Sequence, residues 1–255
     1  MKRLTRFCGF ARTRLGSDEK RHEYNCRVSA RRLLRWSYLG SVPYERATAL
    51  QRDVRDRLDK GETIDHLLLL EHPHVFTLGR SAADDDVLVD RQWLASHDIE
   101  VFESDRGGQV TYHGPGQLVG YPIVDLNPDR RDVRRYVRDL QQVLVRTLED
   151  YGVSATGAGE QALIGVWSGP RKVASIGVHL SRWITTHGFA LNVTTDLSFF
   201  ERIVPCGLPG ARMASIESLA GSRPELGEVA AVVARHFGDV FERQLERVEP
   251  AGLGD

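Results

Sequence analysis

The sequence is short of cysteine, of metal-binding patterns, of long apolar runs and of net charge, and each shortage excludes a class of protein. Its three cysteines, Cys8, Cys26 and Cys206, are an odd number at wide spacing. That is no disulfide framework, and a reducing compartment, the cytoplasm, is the default expectation. No apolar run approaches the roughly 18 residues that a membrane span needs, so no transmembrane helix is expected. His72 and His74 flank Pro73, but no companion cysteine and no HExxH pattern accompanies them, so no metal and no other cofactor is expected. A GxxxxGK[ST] loop is missing, and no GxGxxG opens a helix, which argues against those phosphate and dinucleotide sites. A formal net charge of −1 points to neither nucleic acid nor a membrane surface.

The charge that is present is uneven. Residues 1–35 hold eleven Lys/Arg against three Asp/Glu, a balance of +8, so the rest of the chain carries −9. The opening segment has no apolar core of about 7–15 residues and is no secretory signal. Its basic, acid-poor composition faintly resembles an organellar transit peptide, but the plainer reading of residues 1–33 is a poorly ordered basic extension. Residues 34–248 read as one folded domain and 249–255 as a loose tail.

Hydrophobic periodicity orders that domain. Ala47, Leu50, Val54 and Leu58 predict a helix over 44–59, and the apolar run at 67–70 predicts a buried strand. HPHVFTLGR at 72–80 reads as a loop and a short strand, and 84–98 as a second, shorter helix. LVGYPIVDL at 118–126 predicts a strand. Val133, Tyr136, Val137, Leu140, Val143, Leu144 and Leu148 mark a helix over 132–150, with Gly152 as its stop. Residues 162–180 read as a hairpin turning at SGPR, 184–193 as an adjacent strand, and about 225–246 as a last helix. The order of elements fits a single α/β domain with a mixed, mainly antiparallel sheet and packed helices.

Three segments carry candidate chemistry. RGGQVTYHGPGQ at 106–117 places Gly107, Gly108, Gly114 and Gly116 within ten residues, between Arg106 and Gln117. This is either a pair of tight turns around QVTY or a backbone shaped for close approach to a ligand. Cys206 lies in PCGLPG at 205–210, a loop of turn formers, whereas structural cysteines favour apolar strands and helices. Lys172 heads the run KVASIGVHL. A thiol nucleophile reacts as its thiolate, which a nearby cation favours, although a lysine at a hairpin turn is ordinarily just solvated.

Taken in order, RGGQVTYHGPGQLVGYPIVDL at 106–126, KVASIGVHL at 172–180, HGFALNV at 187–193 and RIVPCGLPG at 202–210 resemble the lipoyl(octanoyl) transferase family, with HPHVFTLGR as a further matching stretch. The resemblance covers about residues 34–245. It implies a fold shared with the biotin and lipoate protein ligases. It also implies that Cys206 carries the acyl group as a thioester and that Lys172 favours the thiolate and moves protons. Arg106, Gly107, Gly108, Gln109, Val110, Thr111, Tyr112 and His113 would line the substrate, with Ser175, Ile176 and Gly177, and with Gly188, Phe189 and Ala190. The implied donor is octanoyl-acyl carrier protein. The implied acceptors are lipoyl domains of 2-oxoacid dehydrogenase complexes and the glycine cleavage H protein, with no ATP consumed. Two features depart from the family pattern: the SGPR turn before Lys172, and the opening 33 residues. The alternatives are an ATP-dependent lipoate or biotin ligase on the same fold, a thioesterase, and a non-catalytic acyl- or carrier-binding module.

Overall fold

A computed structural model describes residues 31–249 except Pro128, 158–163 and 205–211. Cys206, the basic segment up to Ala30 and the tail from Pro250 lie outside the described residues. In chain order the elements are β1 (Arg32–Ser41), α1 (Tyr44–Asp59), β2 (Asp65–Glu71), β3 (Val75–Leu78), α2 (Arg91–Ser96), β4 (Glu100–Glu103), β5 (Val110–His113), β6 (Gln117–Ile123) and α3 (Val133–Asp150). They continue with β7 (Thr156–Gly157), β8 (Gly165–Ser168), β9 (Arg171–Ser181), β10 (Ile184–Asn192), β11 (Arg212–Met213), α4 (Ile216–Ala220), α5 (Leu226–Val240) and β12 (Arg243–Arg247).

The main sheet runs β12-β1-β2-β6-β10-β9-β8-β7, with β11 beside β9. It is mixed: β12, β1 and β2 are parallel, and the pairs from β2 through β7 are antiparallel. The unbroken LLLL of β2 follows from cover on both faces. Leu67 and Leu69 pack with α3 and α5, while Leu68 and Leu70 pack with Ala47 and Val54 of α1. A smaller sheet, β4-β3-β5, closes over a cluster that includes Phe76, Tyr112 and Phe200. No helix of the described residues is long and apolar enough to cross a membrane.

Helix α1 covers the predicted span, and α3 starts where its cap dictates: Asp132 accepts from the Arg135 N–H at 3.0 Å, the usual N-cap bond. Three expectations need correction. The last helix does not reach 246 but ends at Val240. Glu242 takes φ 55, and Arg243–Arg247 forms a strand parallel to β1. Leu245 does continue the helical spacing. However, as part of β12 it packs on Gly238, and Arg243 reaches Asp65 and Asp129 at 3.0 and 2.8 Å. The helix expected over 84–98 is a 3-10 turn at Asp84–Asp86 and the six-residue α2, which Asp90 caps. Finally, β1 begins at Arg32, two residues before the boundary expected at 34.

Candidate active site

The β9–β10 hairpin turns through Arg182 and Trp183, both at positive φ (52° and 66°), as a tight two-residue hairpin requires. Its register makes direct neighbours of two segments that the sequence reading named separately. Ser175 faces Ala190, Ile176 faces Phe189 and Gly177 faces Gly188. The glycine pair permits a close approach that a side chain would forbid. A Cβ on Gly188 would sit 2.3 Å from the Gly120 carbonyl oxygen of β6, and one on Gly177 would sit 2.9 Å from that of Gly107.

The loop before β5 is tied down on three sides. The Gly107 N–H donates to Val178 O at 3.0 Å. Arg106 is buried, and its Nη2 donates to the Thr77 carbonyl and hydroxyl at 2.6 and 2.7 Å. Asp105 meets His187 Nε2 at 2.7 Å. His187 has φ 55, a strained conformation for a residue with a Cβ. Its backbone N–H is fixed by Gln51 Oε1 at 2.7 Å.

These elements enclose a cavity of about 540 Å³, within the usual range for a small-molecule site. Arg106, Gly107, Gly108, Gln109, Val110, Thr111 and His113 line it, as do Lys172, Ser175, Ile176, Gly177, Gly188, Phe189 and Ala190. Tyr112 does not. It turns to the other side of β5, stacks on Phe199 and bonds His74 Nδ1 through its hydroxyl at 2.8 Å. The sequence reading missed Tyr44, Val119, Tyr121, Val137 and His187, among other lining residues. Tyr121 had a signal, as the one hydroxyl in an apolar strand, and His187 adjoins Gly188. Tyr44 of α1 and Val137 of α3 had none, because they arrive from the two helices on opposite faces of the sheet.

The histidines around the cavity are neutral. His72 donates from Nδ1 to Val42 O at 2.6 Å, so its Nε2 accepts from the Tyr121 hydroxyl at 2.8 Å. Burial lowers its pKa to about 4. His113 donates from Nδ1 to Gln117 Oε1 at 2.7 Å, because Gln117 uses its amide nitrogen toward Tyr112 O and Asn192 Oδ1. Burial, with the nearby His72 and Arg106 adding, keeps it well below the normal histidine range. Burial lowers His187 too, and the Asp105 carboxylate only partly offsets this.

Lys172 is 2% exposed, and its Nζ lies 5.7 Å from the Trp167 ring centroid. The described residues on both sides of 205–211, the segment that holds Cys206, are placed. Before it, the Val204 N–H donates to Asp86 O at 2.8 Å. After it, Arg212 and Met213 pair in parallel with Arg171 and Lys172, and the Ala214 N–H donates to Lys172 O at 2.9 Å. The residues that follow 205–211 thus lie along the backbone of Lys172.

Comparisons with known proteins agree on one family. The family model described as the lipoyl protein ligase A/B catalytic domain matches residues 43–238. A protein of Solibacter usitatus named octanoyltransferase is 50% identical over 209 residues, which is 81% of this chain and 92% of that protein. An octanoyltransferase of Myxococcus xanthus is 48% identical over 83% of this chain and 60% of its own length. Among solved structures, a lipoate-protein ligase A bound with ATP superposes with a TM-score of 0.71 at 17% identity, covering 87% of this chain and 90% of that one. At that identity the likeness speaks for the fold alone.

Proposed function

Because the chain belongs to the lipoyl protein ligase A/B catalytic-domain family, and within it to the octanoyltransferases that transfer octanoyl groups in lipoate attachment, we propose that it works by a two-step exchange through Cys206 and Lys172. In the first step the Cys206 thiolate attacks the thioester carbonyl of an octanoyl-acyl carrier protein. A new S–C bond forms, the carrier's S–C bond breaks, and Lys172 returns a proton to the departing carrier thiolate. In the second step the lysine amine of a lipoyl domain attacks the Cys206 thioester. The amide N–C bond forms, the S–C bond breaks, and Lys172 takes the proton that the amine gives up. Thioester exchange is nearly isoenergetic and amide formation is downhill, so no ATP is consumed. Splitting one transfer into two easier ones is the use of a nucleophile.

The single observation that carries this reading is the pairing of β11 with β9 at Lys172, which ties a strand six residues after Cys206 in sequence to a lysine buried in the cavity wall. The rest of the wall suits an acyl chain: Val110, Val119, Val137, Ile176 and Phe189 supply apolar surface. Lipoyl domains, including those of 2-oxoacid dehydrogenase complexes and the glycine cleavage H protein, are the acceptors in this reading, and the bacterial cytoplasm is its setting.

The test is intact mass after incubation with octanoyl-acyl carrier protein without ATP, followed by addition of a lipoyl domain. One octanoyl adduct should appear on Cys206 and then pass to the acceptor. Cys206→Ser should lose transfer by at least about a thousandfold, while Cys8→Ser and Cys26→Ser change it little. Lys172→Ala should move Cys206 alkylation to higher pH. Lys172→Arg should keep the alkylation profile but slow transfer, because arginine stays protonated. Transfer that requires ATP and leaves no adduct would replace this reading with a ligase.

A further inference from the structure

The strand pair that carries Lys172 is irregular. Gly165 of β8 pairs with Ser175 of β9, and Val166 with Ala174, but Trp167 pairs with Lys172. β9 therefore holds one extra residue, Val173, opposite the Val166–Trp167 step. Along a regular strand, Lys172 would share a face with Ala174, which packs into the core under α3 and α5. With the bulge, Val173 and Ala174 both enter that core. Alternation from Val173 then turns Lys172 to the opposite face, and it lines the cavity with Ser175. A β-bulge re-aims a side chain in this way.

The re-aimed side chain then crosses Gly165. A Cβ at this position would lie 2.5 Å from Lys172 Cε, 3.3 Å from Nζ and 2.6 Å from the Ala174 carbonyl oxygen. Gly165 has φ 152°, which residues with a Cβ rarely adopt. Its carbonyl accepts from Gln141 Nε2 at 3.1 Å. Gln141 is a buried amide beside the buried Leu140 and Leu144 of α3, and its own side chain packs against Gly157 of β7. A helix on one side of the sheet thereby fixes the strand over which the lysine must pass.

We propose that Gly165, fixed by Gln141, is a positioning residue for acyl transfer: it leaves open the passage through which the Lys172 ammonium reaches the cavity. The inference rests on the reading of Lys172 as catalytic, and it adds a residue pair of which neither member lines the cavity.

The test is a double-mutant cycle in the full chain carrying Cys8→Ser and Cys26→Ser, so that Cys206 is the sole thiol. Single-turnover octanoyl transfer, the pH profile of Cys206 alkylation and the melting temperature are measured for Gly165→Ala, Gln141→Leu, Lys172→Ala and the two combinations with Lys172→Ala. Displacing a proton-transfer group by about an ångström slows a reaction by up to about a hundredfold. Gly165→Ala should slow transfer at saturating substrate by at least about tenfold and move alkylation to higher pH. Gln141→Leu should act in the same direction by about threefold. In the Lys172→Ala background neither should add more than about twofold, since the side chain they displace is gone. Equal slowing in both backgrounds would overturn the proposal, because the glycine would then serve the fold alone. Should Gly165→Ala fail to fold, the Gln141→Leu pair decides by the same criterion. Near-normal transfer and alkylation in Lys172→Ala would instead refute the catalytic role of Lys172, a separate and recognisable result.

Discussion

At one end of β2, Asp65 accepts from Arg32, from Arg243 and from the Asp125 N–H at 3.0–3.1 Å, and Arg243 bonds Asp129 as well. Just past the other end, His72 is linked to Val42 and Tyr121, near His113, Gln117 and the cavity. Both groups are polar and buried, but they are built on different terms. The Asp65 group balances charge with charge and ties β12 to β2 across 178 positions of sequence. Burial pushes the Asp65 carboxyl up, and its arginine partners pull it back only in part, so the cluster is better suited to setting strand register than to adding net stability. The histidine group is held neutral by burial, and its outer members face an opening. Interior charges matched by the chain's own side chains hold the fold, while neutral donors and acceptors around a cavity leave room for a substrate's polar atoms.

The largest expected effect separates the two groups directly. Asp65→Ala takes from the buried Arg243 guanidinium one of its two carboxylate partners, and breaking a buried pair in this way costs about 3–5 kcal/mol. Urea denaturation should show that loss, while turnover per folded molecule stays unchanged. Reduced turnover at normal stability would mean that the ion cluster also serves the site, and the comparison would fail.

The histidine group should reveal itself through pH. His72 has a folded pKa of about 4 against an unfolded value of about 6.5. Its contribution is thus fully present above about pH 6.5 and is lost as the pH falls toward 4, because only the unfolded chain takes up the proton in that window. Two and a half pH units at about 1.4 kcal/mol each give about 3.5 kcal/mol. His66, His113 and His187, all lowered by burial, act with the same sign. Stability measured by denaturant at pH 7 and pH 4.5 should fall accordingly, and His72→Gln should remove the His72 share. An unchanged slope in that variant would show that His72 is not the neutral buried group described.

The smallest effect concerns the edge of the ion cluster. A chain that begins at Arg31 should keep turnover within about twofold of the full chain, since β1, the first strand of the sheet, begins at Arg32. In that shortened chain Arg32→Ala should cost only about 1 kcal/mol, because the Arg32 side chain is 34% exposed while that of Arg243 is 3% exposed. A cost equal to that of Asp65→Ala would place Arg32 at the centre of the cluster rather than at its rim.

Much of the fold was legible where a local rule acts alone. Helices α1 and α3 follow from their 3.6-residue spacing and, for α3, from the Asp132 cap. The stretches singled out by family resemblance come together around one cavity, with Tyr112 turned away from it. Tyr112 turns away because neighbouring residues of a strand face opposite sides, and Phe199 and His74 hold its ring there. Strand β12 was hidden because Leu245 continues a helical period, and only the partners waiting on β2 and at Asp129 show why the chain extends there.

By itself the sequence determined which residue types stand at each position, the periods that make helices and strands, and the one cysteine outside the basic opening segment. The tertiary structure decided which of those residues meet. It set Gly177 against Gly188, brought Tyr44 and Val137 from opposite faces of the sheet to one cavity, and inserted Val173 so that Lys172 turns from the core to the cavity. Register and bulges depend on hydrogen bonds between residues far apart in the chain, and shifting a strand by one residue reverses its faces. No local pattern carries that information.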